Sequence, residues 1–243
     1  MSFDGLPRGH YGAILADPPW HFSMWRPAMW NGEYRKDGTK IISPARAPQY
    51  ETMQEAEILP LPVSDLAAPD CVLFMWACWP TIRQAFRIID AWGFEFKTCG
   101  FCWIKADARQ LELFHDEVEA DMLLGYWTRS NSEICLLATR GQPKRTAADV
   151  RQAIIAPRRE HSRKPDGIHE RIERLVAGPY LELFARQRRP GWDCWGNEVD
   201  KFAPQQVSRE TYDATDDFGK SIDEAYRAIR ERKANGGKGW EPP

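Results

Sequence analysis

"YGAILADPPWHF", residues 11–22, decides how this chain is read. Tyr11 to Ala16 is short and wholly apolar, as expected of a central strand covered on both faces. It ends on a carboxylate, two prolines and a tryptophan. A turn needs no tryptophan there, and a strand does not run on through consecutive prolines. Asp17-Pro18-Pro19-Trp20 therefore marks a corner at the carboxyl end of a strand, where open α/β sheets bind ligands. Pro18 and Pro19 lack N–H groups, so the local carbonyls are expected to have no turn partner and to point outward. With the Asp17 carboxylate and the flat face of Trp20, they predict a slot for a planar group carrying an amine.

Working outward, Phe22 to Gln49 is aromatic, basic and rich in Pro and Gly without a usable period, and reads as a long loop. "TMQEAEILPLPVSDLA" (52–67) holds a short helix. "CVLFMWA" (71–77) is a second buried strand, and "TIRQAFRIIDAWG" (81–93) is an amphipathic helix stopped at Gly93. "FEFKTCGFCWIK" (94–105) and "SEICLLATRG" (132–141) are two more strands flanking an irregular acidic segment, 106–124. "KPDGIHERIERLVAG" (164–178) is a helix with Ile168, Ile172, Leu175 and Val176 on one face, and "YLELFAR" (180–186) a further strand. Strands alternating with helices predict an α/β fold with a mostly parallel sheet. One domain is expected over residues 1–200, followed by a polar tail over 201–243 with one helix near 221–233.

Composition narrows the function. The chain has 243 residues, enough for one sizeable core, and a net charge of −2, so any nucleic-acid contact must come from a local patch. Residues 140–164 supply one, with eight Lys/Arg against Asp149 and Glu160. Eleven tryptophans are unusual, and several fall where packing alone does not ask for one. No apolar stretch approaches the ~20 residues of a membrane span, and the N-terminal dozen lacks a signal-peptide core, so the cytoplasm is the expected location. Cys99 and Cys102 form one C-x-x-C, but no second pair or His couple completes a zinc set, so no metal is expected and the thiols are read as free core residues. No G-x-G-x-x-G follows a strand, which argues against a dinucleotide oxidoreductase.

An exocyclic amine of a nucleobase fits the corner. Its lone pair is delocalised into the ring until acceptors bind its hydrogens, and Asp17 with the Pro18 carbonyl would favour attack on an electrophilic methyl group. The chain then resembles, in order from about Tyr11 to Glu198, the adenine-N6 methyltransferases that include the catalytic subunit of the eukaryotic mRNA methyltransferase. The fragments are "ADPPW", "YETM" (50–53), "LFMWA", "WIK" (103–105), "GYWTRSNSE" (125–133), "PRREHSRKPD" (157–166) and "LELFARQRRPGWDCWGNE" (181–198). The wording is most similar to small bacterial and phage DNA-modifying members.

The resemblance implies a Rossmann-like fold using S-adenosylmethionine, circularly permuted so that the catalytic motif precedes the strand that opens the cofactor site. It implies that Asp17 lies near the donor's amino group, that Lys164 pairs with its carboxylate, and that Arg186, Asn197 and Glu198 hold the ribose. Phe184 and Ser162 would complete that pocket. Tyr50, Trp76, Trp103, Lys105 and Glu133 match positions around the acceptor base, and Arg158, Arg159 and Arg163 are candidates for phosphate contacts. Gly167 stands where the family usually has an acid, and no acid at matching spacing precedes the corner to bind the cofactor's adenine. The expected activity is methylation of adenine N6 in DNA by a monomer or homodimer, with RNA the nearest rival. A catalytically silent nucleic-acid-binding subunit, or a methyltransferase for a protein or small-molecule amine, are the more distant alternatives.

Overall fold

The computed structural model describes residues 3–21, 29–34, 36–38, 40–43, 51–106, 127–128, 130–159 and 163–202. Its centre is β1 (Tyr11–Ala16), paired in parallel with β4 (Ala67–Ala77) on one side and β8 (Tyr180–Leu183) on the other. Beyond β4 come β6 (Ser132–Arg140), β5 (Glu95–Ala106) and β7 (Ala153–Pro157), and beyond β8 comes β9 (Trp192–Trp195). The seven-stranded order is β7-β5-β6-β4-β1-β8-β9. Only β6 runs against its neighbours; the β1/β4, β1/β8, β8/β9 and β5/β7 pairs are all parallel. This is the mostly parallel α/β sheet that the alternation of elements predicts.

The two central strands are buried on both faces, and their alternation sorts the core into two layers. Ile14 and Ala16 of β1, with Leu73 and Met75 of β4, face one layer. Ala13 and Leu15, with Val72, Phe74 and Trp76, face the other. Helix α2 (Ile82–Ala91) covers the first layer through Ala85, Ile88 and Ile89, an i, i+3, i+4 stripe. It stops where Gly93 takes φ 79°, as the sequence anticipates. The other helix, α3 (Gly167–Leu175), covers the second layer through Ile168 and Ile172. A short helix, α1 (Glu55–Ile58), lies in the predicted stretch.

Several expectations are corrected. The presumed long loop 22–49 contains an antiparallel hairpin, β2 (Met29–Tyr34) with β3 (Lys40–Ser43). The strand read over 180–186 stops at Leu183, because Phe184 turns into the left-handed region at φ 61°. Cys99 and Cys102 are free but half-exposed rather than buried, since the first half of β5 lies open on one side. Lys201 and Phe202, read as the start of a tail, pack back onto the domain through Lys201 N–H to Glu198 O and Phe202 N–H to Arg186 O. The acidic segment beyond residue 106 and the suggested helix 221–233 lie outside the described residues. No described helix is long and apolar enough to cross a membrane.

Candidate active site

The carboxyl ends of β1, β4 and β8 and the start of the segment after β9 enclose a cavity of about 300 Å³. Asp17 to Trp20 form one wall, Trp76 to Cys78 a second, and Phe184 to Arg186 with Asn197 and Glu198 a third. Cavities of this size suit a small organic ligand. The corner thus sits where the strand order predicts, at the mouth between adjacent parallel strands.

Its internal bonding differs from the expectation in one respect. The Pro18 carbonyl accepts from Trp20 N–H (2.8 Å), and the Pro19 carbonyl accepts from Met53 N–H (2.8 Å). The corner is held shut by its own backbone and by the 51–53 segment rather than left with free carbonyls. Each carbonyl retains a second lone pair, so the acceptors are shared and not spent. Trp20 is also largely buried at 7% exposure, and its Nε1–H donates to the Trp76 carbonyl at 2.9 Å. It therefore fixes the corner against β4 as well as lining the cavity.

Charge converges on the corner from three distant stretches of sequence. Lys164 Nζ donates to both oxygens of Asp17, at 2.8 and 2.9 Å. It also lies 3.3 Å from Glu133 on β6, whose other oxygen accepts from Lys105 Nζ at 2.5 Å. Burial works against the Lys164 charge, but the Asp17 and Glu133 carboxylates outweigh it and raise its pKa above the ordinary lysine range. Burial likewise opposes ionisation of Glu133, yet Lys164 and Lys105 hold it below the usual carboxylate range. Lys164 and Glu133 are thus both held in their charged forms near neutrality. Here Lys164 is engaged with Asp17 itself, so the two ends expected to meet the donor's carboxylate and amino group neutralise one another.

The tryptophans divide sharply. Among the described residues, the buried indoles of Trp20, Trp92, Trp103 and Trp192 each donate to a carbonyl or carboxylate of the fold. These four are therefore core pieces with satisfied N–H groups. Trp76 is the exception: it is 1% exposed, it lines the cavity, and its Nε1–H has no hydrogen-bond partner. Lys164 Nζ stands 5.5 Å from its ring centre.

The remaining candidates fall into three groups. Phe184, Arg186, Asn197 and Glu198 are brought together on the cavity wall, with Glu198 held by Lys201 at 2.5 Å. Trp103 is not brought there: it is 1% exposed in the core, donating to Ala156 O. Lys105 reaches the site only through Glu133. The basic segment is less open than its composition suggests. Arg159 is tied to Asp166 and to the Lys164 carbonyl, and Arg163 is buried against Gln187, while Arg158 alone of the three is exposed. Tyr50 and Ser162 lie outside the described residues. Gly167 does open α3, and Asp166 before it makes no side-chain cap because Arg159 engages its carboxylate.

Sequence reasoning missed part of the lining. Thr52, Met53, Cys78 and Trp195 face the cavity. Trp195 packs edge-on against Phe184 at 5.6 Å and Phe3 at 4.8 Å. The signal was the spacing in "WDCWG": Trp192 and Trp195 lie on opposite faces of a four-residue strand, one toward each core layer. Gly196 follows for a steric reason, since a Cβ there would collide with the Ala185 carbonyl and come within 2.7 Å of Ala185 N. That close approach and the strained Phe184 backbone together turn the Phe184 ring and Arg186 toward the cavity.

The MT-A70 family profile matches residues 11–198, and the chain belongs to that family. It is similar to the type II methyltransferase M.MunI of a Mycoplasma species, 32% identical over 203 residues that span 81% of each chain. It is also similar to the N(6)-adenosine-methyltransferase catalytic subunit METTL3 of Homo sapiens, 27% identical over 79% of this chain but 29% of that one. An MT-A70-like N(6)-adenosine-methyltransferase of Arabidopsis thaliana matches at 27% over 79% of this chain and 24% of its own length. The fold is accordingly the α/β fold of methyltransferases that use S-adenosylmethionine, with the corner on the first strand and the polar wall on the last two.

Proposed function

We propose that this chain methylates the N6 amine of adenine in DNA. The observation that carries the reading is the Asp17 corner, a carboxylate fixed by Lys164 at the mouth of the sheet beside a buried, unsatisfied indole N–H. The fit to S-adenosylmethionine rests on the donor set. Lys164, shared between Asp17 and Glu133, brings a positive charge to the cavity wall for an amino acid's carboxylate, while Asn197 and Glu198 offer an amide and a carboxylate to vicinal hydroxyls. Phe184 and Trp195 supply the apolar side. When bound there, S-adenosylmethionine supplies an electrophilic methyl group.

The protein's part is orientation and fixed charge. A carboxylate has about four acceptor sites. Lys164 uses one on each Asp17 oxygen, leaving the others for the hydrogens of the base amine. With Asp17 and the second lone pair of Pro18 O accepting those hydrogens, the nitrogen lone pair is drawn out of conjugation and turned toward the methyl carbon. The nitrogen would gain one bond to the methyl carbon as the donor's sulfur–methyl bond breaks, and would give up one proton through Asp17 to water. Glu133 keeps the Lys164 ammonium in place and ionised, so the Asp17 geometry does not relax when the base enters. The flat ring of Trp76 walls the slot, which suits a planar base better than a flexible amine.

DNA is preferred because the chain spans most of the Mycoplasma type II methyltransferase, whereas it covers about a quarter of the length of the adenosine methyltransferases it matches. The same eukaryotic relatives favour RNA as the second reading. A silent binding subunit fits poorly, because Asp17 and Lys164 are both present and in contact. Duplex DNA, single-stranded DNA and RNA should be offered in parallel with methyl-labelled S-adenosylmethionine, and each product digested to nucleosides. The expected label is N6-methyldeoxyadenosine; label in RNA alone would overturn the DNA reading in favour of its rival.

A further inference from the structure

Behind the main cavity lies a second, of about 60 Å³, that shares Asp17, Trp76, Lys164, Phe184 and Arg186 as walls. Its outer wall is Phe202, which lies past the last residue matched by the family profile. Four residues after Glu198 the chain has folded back, and three contacts hold it. Lys201 Nζ donates to Glu198 Oε1 at 2.5 Å, Lys201 N–H to Glu198 O at 2.9 Å, and Phe202 N–H to Arg186 O at 3.2 Å. The ring then sits 4.9 Å from the Arg163 guanidinium carbon and 5.7 Å from that of Arg186.

We propose that Phe202 is a positioning residue for S-adenosylmethionine, acting through Arg186 and through the Arg163–Lys164 segment. The inference rests on the reading of Arg186 as a cofactor-side residue. Two guanidinium groups brought to one small cavity repel each other and favour hydrated, swung-out rotamers. An aromatic face is negative and apolar, so it offers both a favourable contact without a carboxylate to compete for the ligand. Arg163 is 9% exposed, and its donation to Gln187 Oε1 at 3.0 Å joins the residue before Lys164 to the residue after Arg186. The Phe202 ring on Arg163, held by its own N–H to Arg186 O, adds a second tie between the same segments. Through that tie, one ring holds together the two segments that carry Lys164 and Arg186. Lys201 adds to the same device by fixing the Glu198 carboxylate from the solvent side.

The test is equilibrium binding of S-adenosylmethionine and its demethylated product by calorimetry, without nucleic acid, on the full chain. Phe202→Ala and Phe202→Leu are each expected to weaken binding about tenfold or more, while Phe202→Tyr, which keeps the ring face, stays within about threefold of the parent. With DNA present, the loss should appear in KM for the cofactor and leave kcat at saturation within about twofold. Should the alanine variant unfold, the leucine and tyrosine variants carry the comparison alone. Parent-like binding by Phe202→Leu would overturn the proposal, as would a fall in kcat with unchanged affinity. A parent protein that binds neither compound would instead overturn the cofactor assignment on which the proposal rests.

Discussion

Lys164, three residues ahead of α3, and Arg174, in its last turn, each hold a carboxylate, yet the two pairs are built for different ends. Arg174 forks onto Asp149 with both partners more than half exposed. Lys164 meets Asp17 with side-chain exposures of 12% and 21%, in a chain of charges that runs on to Glu133 and Lys105. Exposed pairs of the first kind stabilise a protein by ~0.2–1 kcal/mol, because water and salt screen them. A buried pair gains little over an apolar substitute, since both ions are desolvated, but removal of one partner is costly. The buried cluster is thus a poor choice for stability and a good one for geometry. It holds a carboxylate in a fixed direction at the end of β1, where the ligand cavity opens.

The comparison can be broken at either end. Lys164→Met leaves Asp17 and Glu133 facing each other without the cation between them, and about 3 kcal/mol of stability should be lost in urea unfolding. A loss as small as that of a surface pair would mean that the cluster is hydrated and not tightly coupled. Gly196→Ala should cost about 2 kcal/mol by forcing the Phe184–Arg186 turn away from β9, and weaken S-adenosylmethionine binding at least tenfold. Unchanged binding would show that this turn does not shape the pocket. Arg174→Ala should cost under ~1 kcal/mol, with the difference shrinking further in high salt.

The smallest effect is a pH dependence that should be missing at neutrality. Glu133 has a lowered pKa, so its contribution is complete above the ordinary glutamate value and lost only as pH falls through the lowered one. Lys164 has a raised pKa, so its contribution is complete below the ordinary lysine value and lost only as pH climbs through the raised one. The stability gap between the parent and Lys164→Met should therefore be flat from about pH 6 to about pH 9. A slope within that window would mean that Glu133 is raised, or Lys164 lowered, into it, against the directions their partners impose.

What the sequence revealed and what it hid follow from how fully each element is buried. β1 and β4 are covered on both faces, so they stand out as apolar runs, and α2 and α3 show their stripes. Of the strands that went unread, β7 and β9 are the edges of the seven-stranded sheet, and β2 and β3 form a hairpin of their own. At five and four residues, "AIIAP" and "WDCW" are too short to stand out as apolar runs. At the site, the Asp-Pro-Pro-Trp corner and the polar wall could be placed from residue types and family wording. The Pro18 and Pro19 carbonyls found partners in Trp20 and Met53, and Met53 is distant in sequence and invisible to local reasoning. Trp76 and Trp103 look alike as tryptophans at strand ends. Only the packed structure separates the indole that donates to Ala156 from the one that donates to nothing.

Orientation of the acceptor amine by the Asp17 carboxylate, held by Lys164, is the step proposed for this corner. Its most direct test is single-turnover methyl transfer to duplex DNA by the parent and by Asp17→Asn, at saturating S-adenosylmethionine and with unfolding curves run beside it. The amide keeps the shape but replaces one acceptor oxygen by a donor, so transfer should slow by at least about a hundredfold in a folded protein. A rate within a few-fold of the parent would contradict the account and move the chemistry away from this corner.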